Sequence, residues 1–182
     1  HAHVYYDGRV SEHLHAHVYH EGIGKKGANN VASLIVKTLR QLNILREDSV
    51  GGELNIIFDN CSGQNKNNTV LRMAVWMMAM NYFKEVNFIF LVVGNTKNAA
   101  DHLFNSLKTE YRLQNLFTFQ DLLEVLNRLP MITVYLTSLV DFCDYDQLMK
   151  DLYWMQLDHI KINHKFSCTD DNSCTNMFDL CP

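Results

Sequence analysis

Two aspartates, Asp59 and Asp101, are the residues best placed for chemistry, because each follows a predicted strand. Asp59 comes directly after the apolar strand 54–58, and Asp101 opens the helix that follows the apolar strand 86–93. Parallel strands bring their carboxyl ends to one edge of a sheet, so we expect the two carboxylates to converge there on Mg²⁺. Metal pairs held by shared carboxylates catalyse phosphodiester hydrolysis and transfer. The alternative is that Asp59 caps a turn and Asp101 caps a helix.

The elements that must position these aspartates alternate between helix and strand after an antiparallel pair. Residues 1–8 nearly repeat residues 15–22, which favours a β-hairpin of two similar strands and equally fits a local duplication. Apolar residues recur at helical spacing over 31–42, and a helix that is apolar nearly all round is predicted over 70–80. With a further helix over 100–111, the order is ββαβαβα, whose alternating part requires parallel strands.

Beyond residue 117 the pattern starts again in a more acidic segment. Residues 1–120 carry 12 basic and 10 acidic side chains, whereas residues 121–182 carry 4 and 10. The second part is therefore not expected to touch phosphates. The stretch from Thr169 onward is polar and is expected to be loose. The elements predicted before it are a helix opened by the capping box Thr118–Asp121, a strand over 131–136, a helix over 144–157 and a short strand over 162–168.

The composition is that of a folded protein with one domain and a small appendage. The chain has 182 residues, of which 47% are hydrophobic, and this excludes extensive disorder. The longest apolar run, over 73–80, is too short to cross a bilayer, so no membrane partner is expected. The first residues do not form a signal peptide, and the five cysteines have no paired spacing, which favours an intracellular, non-secreted protein. Because the chain does not begin with Met, we expect a fragment or a processed piece.

Three motifs together resemble a known family. They are KKGANNVASLIVKTL at 25–39, IFDNCSGQNKNN at 57–68 and FLVVGNTKNAADHLF at 90–104. They resemble a eukaryotic family of transposon-encoded, transposase-like domains, thought to share the ribonuclease H-like fold of DDE transposases and integrases. The resemblance covers roughly residues 13–125. It implies an α/β fold with a ribonuclease H-like mixed sheet flanked by helices over residues 1–120, its first strand missing or unclear, and a small acidic α/β extension over 121–182.

The resemblance also implies roles for individual residues. Asp59 matches the second and Asp101 the third metal-binding carboxylate of the family, with Mg²⁺ or Mn²⁺ as cofactor. Gln64, Asn65 and Lys66 match the polar loop beside that site and are the expected DNA contacts, with Lys66 as a point charge for phosphate.

The function that follows from the resemblance is metal-dependent DNA cleavage and strand transfer. In the intact protein the expected partners are transposon ends and, as a further option, a second copy of the chain, in the nucleus. The first carboxylate has no match in this sequence, and we do not expect Asp7 to be that ligand. Asn95 stands where the family has histidine and His102 where it has arginine. We therefore expect a catalytic fragment or remnant that is inactive as given; the alternative is a non-catalytic DNA- or protein-binding module.

Three other patterns suggest weaker hypotheses. Gly22–Gly27 matches the dinucleotide fingerprint G-x-G-x-x-G, although the strand before it alternates, and a flexible connection is favoured. His13, His15 and His17 share one strand face, which we expect to be solvated rather than metal-binding. A zinc site lacks the usual close cysteine pair; its ligands would be His164, Cys168, Cys174 and Cys181. The methionines of helix 70–80 are expected to fill the core.

Overall fold

The computed structural model describes residues 2–5, 13–45, 52–91, 99–130, 132–152, 165–169 and 174–177. These residues form a mixed α/β structure with parallel and antiparallel strands, which confirms the predicted fold class. The elements are β1 (Ala2–Tyr5), β2 (His13–Val18), α1 (Ala28–Gln41), β3 (Gly52–Phe58), α2 (Asn68–Ala79), β4 (Phe83–Phe90), α3 (Ala99–Arg112), α4 (Phe119–Asn127), β5 (Ile132–Leu136), a 3₁₀ turn (Leu139–Asp141), α5 (Tyr145–Leu152), β6 (Lys165–Thr169) and β7 (Cys174–Met177).

The chain divides into two compact units, each made of two segments. The first unit combines residues 1–23 with 95–138, and the second combines residues 24–94 with 139–182. These units do not coincide with the expected division after residue 120, which falls inside α4. The reason is strand pairing, because β5 joins the sheet of β2 and β6 joins the sheet of β4.

The first unit contains a three-stranded sheet in the order β1-β2-β5. The predicted hairpin of similar strands is confirmed, since β1 runs antiparallel to β2 with His3 opposite His15. Strand β5 pairs with β2 in parallel. The core of the first unit is centred on Leu14, Leu107 and Leu126, from β2, α3 and α4. Helix α4 opens with the predicted capping box, in which the Thr118 side chain accepts from the Asp121 N–H and the Asp121 carboxylate accepts from the Thr118 N–H.

The second unit contains a four-stranded sheet in the order β3-β4-β6-β7. Strands β3 and β4 pair in parallel, as the alternating pattern predicted, and β6 and β7 add antiparallel. The expectation of a loose stretch after Thr169 is wrong for Cys174–Met177, which pairs with Lys165–Cys168. The sequence did not predict this strand because its residues are mostly polar, and an edge strand needs only one apolar face.

Helices α1, α2 and α5 share one core with the sheet of the second unit. The predicted core role of the methionines is confirmed for Met73 and Met77, which are fully buried. The C-caps of α1 and α2 are each followed by an asparagine with positive φ, Asn43 and Asn81, which reverses the chain at little steric cost. None of the helices in the described ranges is long and apolar enough to cross a membrane.

Candidate functional site

The structure places Asp59 where the sequence predicted it, directly after β3 at the carboxyl edge of a parallel strand pair. The Leu91 N–H donates to the Phe58 carbonyl at 2.9 Å, so β3 and β4 end level with each other. Phe58 and Phe90 are the last residues of β3 and β4, and their rings stack with centroids 5.3 Å apart. Asp59 is exposed.

Residues 59–67 form a compact turn, here named the site loop. The Cys61 carbonyl accepts backbone N–H groups from Gln64 at 3.2 Å, Asn65 at 2.8 Å and Lys66 at 3.0 Å. Asn67 then closes the loop, because its side chain accepts from the Val70 N–H at 3.1 Å and donates to the Gln64 carbonyl at 2.8 Å. The polar residues of the site loop therefore hydrogen-bond to one another, and Asn67 also caps helix α2.

Asn65 links this loop to the carboxylate, since its side-chain amide donates to Asp59 Oδ1. Within the described part of the chain, Asn65 is the only donor to this carboxylate. The remaining oxygen lone pairs of Asp59 are therefore open to a hard cation.

Lys66 is buried in this loop, with only 3% of the residue exposed. Its Nζ lies 5.6 Å from the centroid of the Phe90 ring, and burial lowers its pKa. Contact of the Lys66 ammonium with DNA phosphate stays a prediction. Gln64 and Asn65 are half-buried, and their contact with DNA stays a prediction.

Asp101 lies in α3, in the first unit, whereas Asp59 belongs to the second. Its side chain lies outside the described residues, as do Asn95 and Asp7. The convergence of the two aspartates stays a prediction. His102, next to Asp101, is exposed. Among the side chains that the structure describes, no group of three or more His, Cys, Asp or Glu is arranged to hold a metal ion.

A comparison with protein families places the chain. Residues 7–180 match the family model DUF7869, a domain of unknown function. The chain belongs to the DUF7869 family. No curated protein and no solved structure matches it significantly. The match covers Asp59 and Asp101, and it runs through residue 120 and across both units.

In this DUF7869 domain the histidine face of β2 is buried, which corrects the expectation of a solvated face. His15 and His17 are 5% and 3% exposed. His15 Nδ1 lies 2.9 Å from the Tyr135 hydroxyl, and His13 Nε2 lies 2.5 Å from Thr133 Oγ1. Burial, and secondly the neighbouring His13, lower the pKa of His15. These imidazoles hydrogen-bond to β5, which gives the face a structural role.

The glycine-rich motif lacks the setting of a dinucleotide site. Strands β2 and β3 on either side of α1 belong to different sheets, so they do not form the parallel pair of a βαβ unit. Gly27 is the N-cap of α1. As for the zinc hypothesis, Cys168 is buried in the core and Cys174 faces it across the strand pair. The remaining candidates, His164 and Cys181, lie outside the described residues.

Residues 141–146, here named the acidic segment, contain three aspartates to which the sequence assigned no chemistry. In the structure each accepts a hydrogen bond of 2.8 Å from another helix, the pairs being Lys37 with Asp141, Asn29 with Asp144, and Thr69 with Asp146. The Asp146 N–H also donates to Asn29 Oδ1 at 2.8 Å. The only hint in the sequence was that carboxylates favour helix starts.

Proposed function

We propose that this DUF7869 domain derives from a DDE-type transposase and that Asp59 is one of its ligands for Mg²⁺ or Mn²⁺ in cleavage and strand transfer of DNA. The exposed Asp59 carboxylate at the carboxyl edge of β3 and β4 carries this proposal. The likeness of three motifs to transposon-encoded domains supports it, and Asp101 is the further ligand that this likeness suggests.

The donor chemistry at Asp59 suits a hard divalent cation. A carboxylate is the preferred ligand of Mg²⁺, and the neutral amide of Asn65 orients it without cancelling its charge. The described residues supply one such ligand and not a complete site. When bound, the metal would polarise phosphate oxygens and activate the attacking hydroxyl. Asp59 would hold that metal at the sheet edge, and Asn65 would keep its carboxylate in place.

Mn²⁺ titration of the full 182-residue chain tests the metal role by calorimetry. We expect Asp59→Asn to weaken binding at least ~tenfold, since a ligand counts for more than an outer-shell partner. Asp101→Asn tests the second ligand in the same way. Glu124→Gln removes an equal charge from the exposed face of α4 and serves as the matched control. Equal Mn²⁺ affinity in wild type and Asp59→Asn would exclude Asp59 as a ligand.

Strand cleavage of labelled duplex DNA by the intact protein tests the catalytic role. We expect Asp59→Ala to abolish cleavage. Full cleavage by this variant would end the transposase assignment, whatever the metal affinity of the chain.

One observation favours a second function, a non-catalytic DNA- or protein-binding module. Asn95 stands where the resembling family has a histidine, and asparagine cannot shuttle a proton. Such a module would bind duplex DNA equally well with and without Mn²⁺, and Asp59→Asn would leave that binding unchanged. Fluorescence anisotropy of a labelled duplex distinguishes the two functions.

A further inference from the structure

Lys66 is a buried lysine in a loop that is otherwise polar and partly open. Lysine is rarely this buried unless its ammonium has compensating contacts, because removing the charge from water is costly. The lowered pKa of Lys66 reflects that desolvation.

The Lys66 ammonium lies over the ring of Phe90. Its Nζ is 5.6 Å from the Phe90 centroid, within the range of a cation–π interaction. Phe90 stacks on Phe58, and Phe58 directly precedes Asp59. Lys66, near the end of the site loop, therefore contacts a ring that stacks on Phe58, the residue directly before the loop.

This anchoring acts on the neighbouring residue in the chain. The backbone N–H groups of Asn65 and Lys66 donate to one acceptor, the Cys61 carbonyl. Asn65 and Lys66 are adjacent in the chain and share this acceptor, and the Asn65 side-chain amide donates to Asp59 Oδ1. A continuous series of contacts thus runs from Phe90 through Lys66 and Asn65 to the Asp59 carboxylate.

We propose that Lys66 is a positioning residue, which anchors the site loop over Phe90 and so holds the Asn65 amide against the Asp59 carboxylate. Its consequence for metal binding rests on the function proposed above, whereas the anchoring does not. Lys66 then acts through Asn65 and does not touch the metal or DNA. Outer-shell partners of this kind orient ligating carboxylates.

Lys66→Met tests the proposal, because it keeps an unbranched apolar stem and removes the ammonium. In the full chain we expect the ¹⁵N–¹H signals of the Asn65 side-chain amide to move to the positions of a solvent-exposed asparagine. We also expect about tenfold weaker Mn²⁺ binding. Lys66→Arg should restore both, because a guanidinium also stacks on aromatic rings. The matched control is Lys84→Met, at an exposed lysine of the same strand as Phe90.

A double-mutant cycle with Asn65→Ala tests the route. If Lys66 acts through Asn65, the double variant binds Mn²⁺ no more weakly than Asn65→Ala alone. Unchanged Asn65 signals in a folded Lys66→Met chain, or no recovery in Lys66→Arg, would overturn the anchoring role. A wild-type chain that binds no Mn²⁺ would defeat the proposed function and leave the amide signals as the test of anchoring.

Discussion

Two polar regions of the second unit both carry aspartates beside helices, and they bond in opposite ways. In the acidic segment, Asp144 and Asp146 accept from Asn29 of α1 and Thr69 of α2, so they join elements that are far apart in sequence. In the site loop, Asp59 accepts from Asn65, six residues away in the same loop. The acidic segment connects three helices, whereas the site loop holds its own carboxylate.

This difference separates a stabilising carboxylate from an available one. A side chain that bridges two helices loses its partners when either helix moves. Its removal therefore lowers the stability of the whole unit. A carboxylate held within one loop can exchange a solvent contact for a cation without disturbing any helix. The partner of an aspartate, and not its place before a helix or after a strand, is what distinguishes the two roles.

Asn29→Ala should give the largest loss of stability, because Asn29 bonds both to Asp144 and to the Asp146 backbone. We expect about 2 kcal/mol of destabilisation, since the substitution removes one donor and one acceptor and leaves their partners without them. Urea unfolding of the full chain measures it. Asn105→Ala, at an exposed position of α3, is the control. A loss no greater than that of the control would show that the acidic segment does not hold the helices together.

Acidification should have a smaller effect on stability, through the protonation of His15. Burial lowers the pKa of His15 below its ordinary value of 6.5. The unfolded chain therefore takes up the proton first as pH falls, and stability present above pH 6.5 is lost progressively below it.

His15→Gln checks this assignment. Urea unfolding about one pH unit above and one below 6.5 should show a smaller difference in the variant than in wild type. The Tyr135 hydroxyl still finds a partner in the glutamine amide. An equal difference in both proteins would mean that another group titrates in this window.

Much of the second unit could be predicted from local patterns. Helical spacing located α1 and α2, and the apolar runs before Asp59 and Gly94 located the parallel strands β3 and β4. The position of Asp59 at the strand end followed from those runs alone. These predictions succeeded because each depends on neighbouring residues, whose burial repeats with the period of the element.

The remaining features depend on contacts between distant residues. Asn29 and Asp144 are 115 positions apart, and no local pattern records that they meet. The burial of Lys66 was missed for a related reason, because its partner Phe90 belongs to the next strand and lysine is ordinarily exposed. The burial of the β2 histidines likewise depends on pairing with β5, far along the chain.

Asp59→Asn should have the smallest effect on stability, and this makes it the most informative about the comparison. Asn65 loses only a hydrogen bond to an exposed carboxylate, and the new amide oxygen can accept in its place, so we expect a change within about 0.5 kcal/mol. Urea unfolding of this variant beside Asn29→Ala provides the measurement. If Asp59→Asn destabilises the chain as strongly as Asn29→Ala, both regions are structural, because a carboxylate kept for a ligand adds little to the fold that presents it.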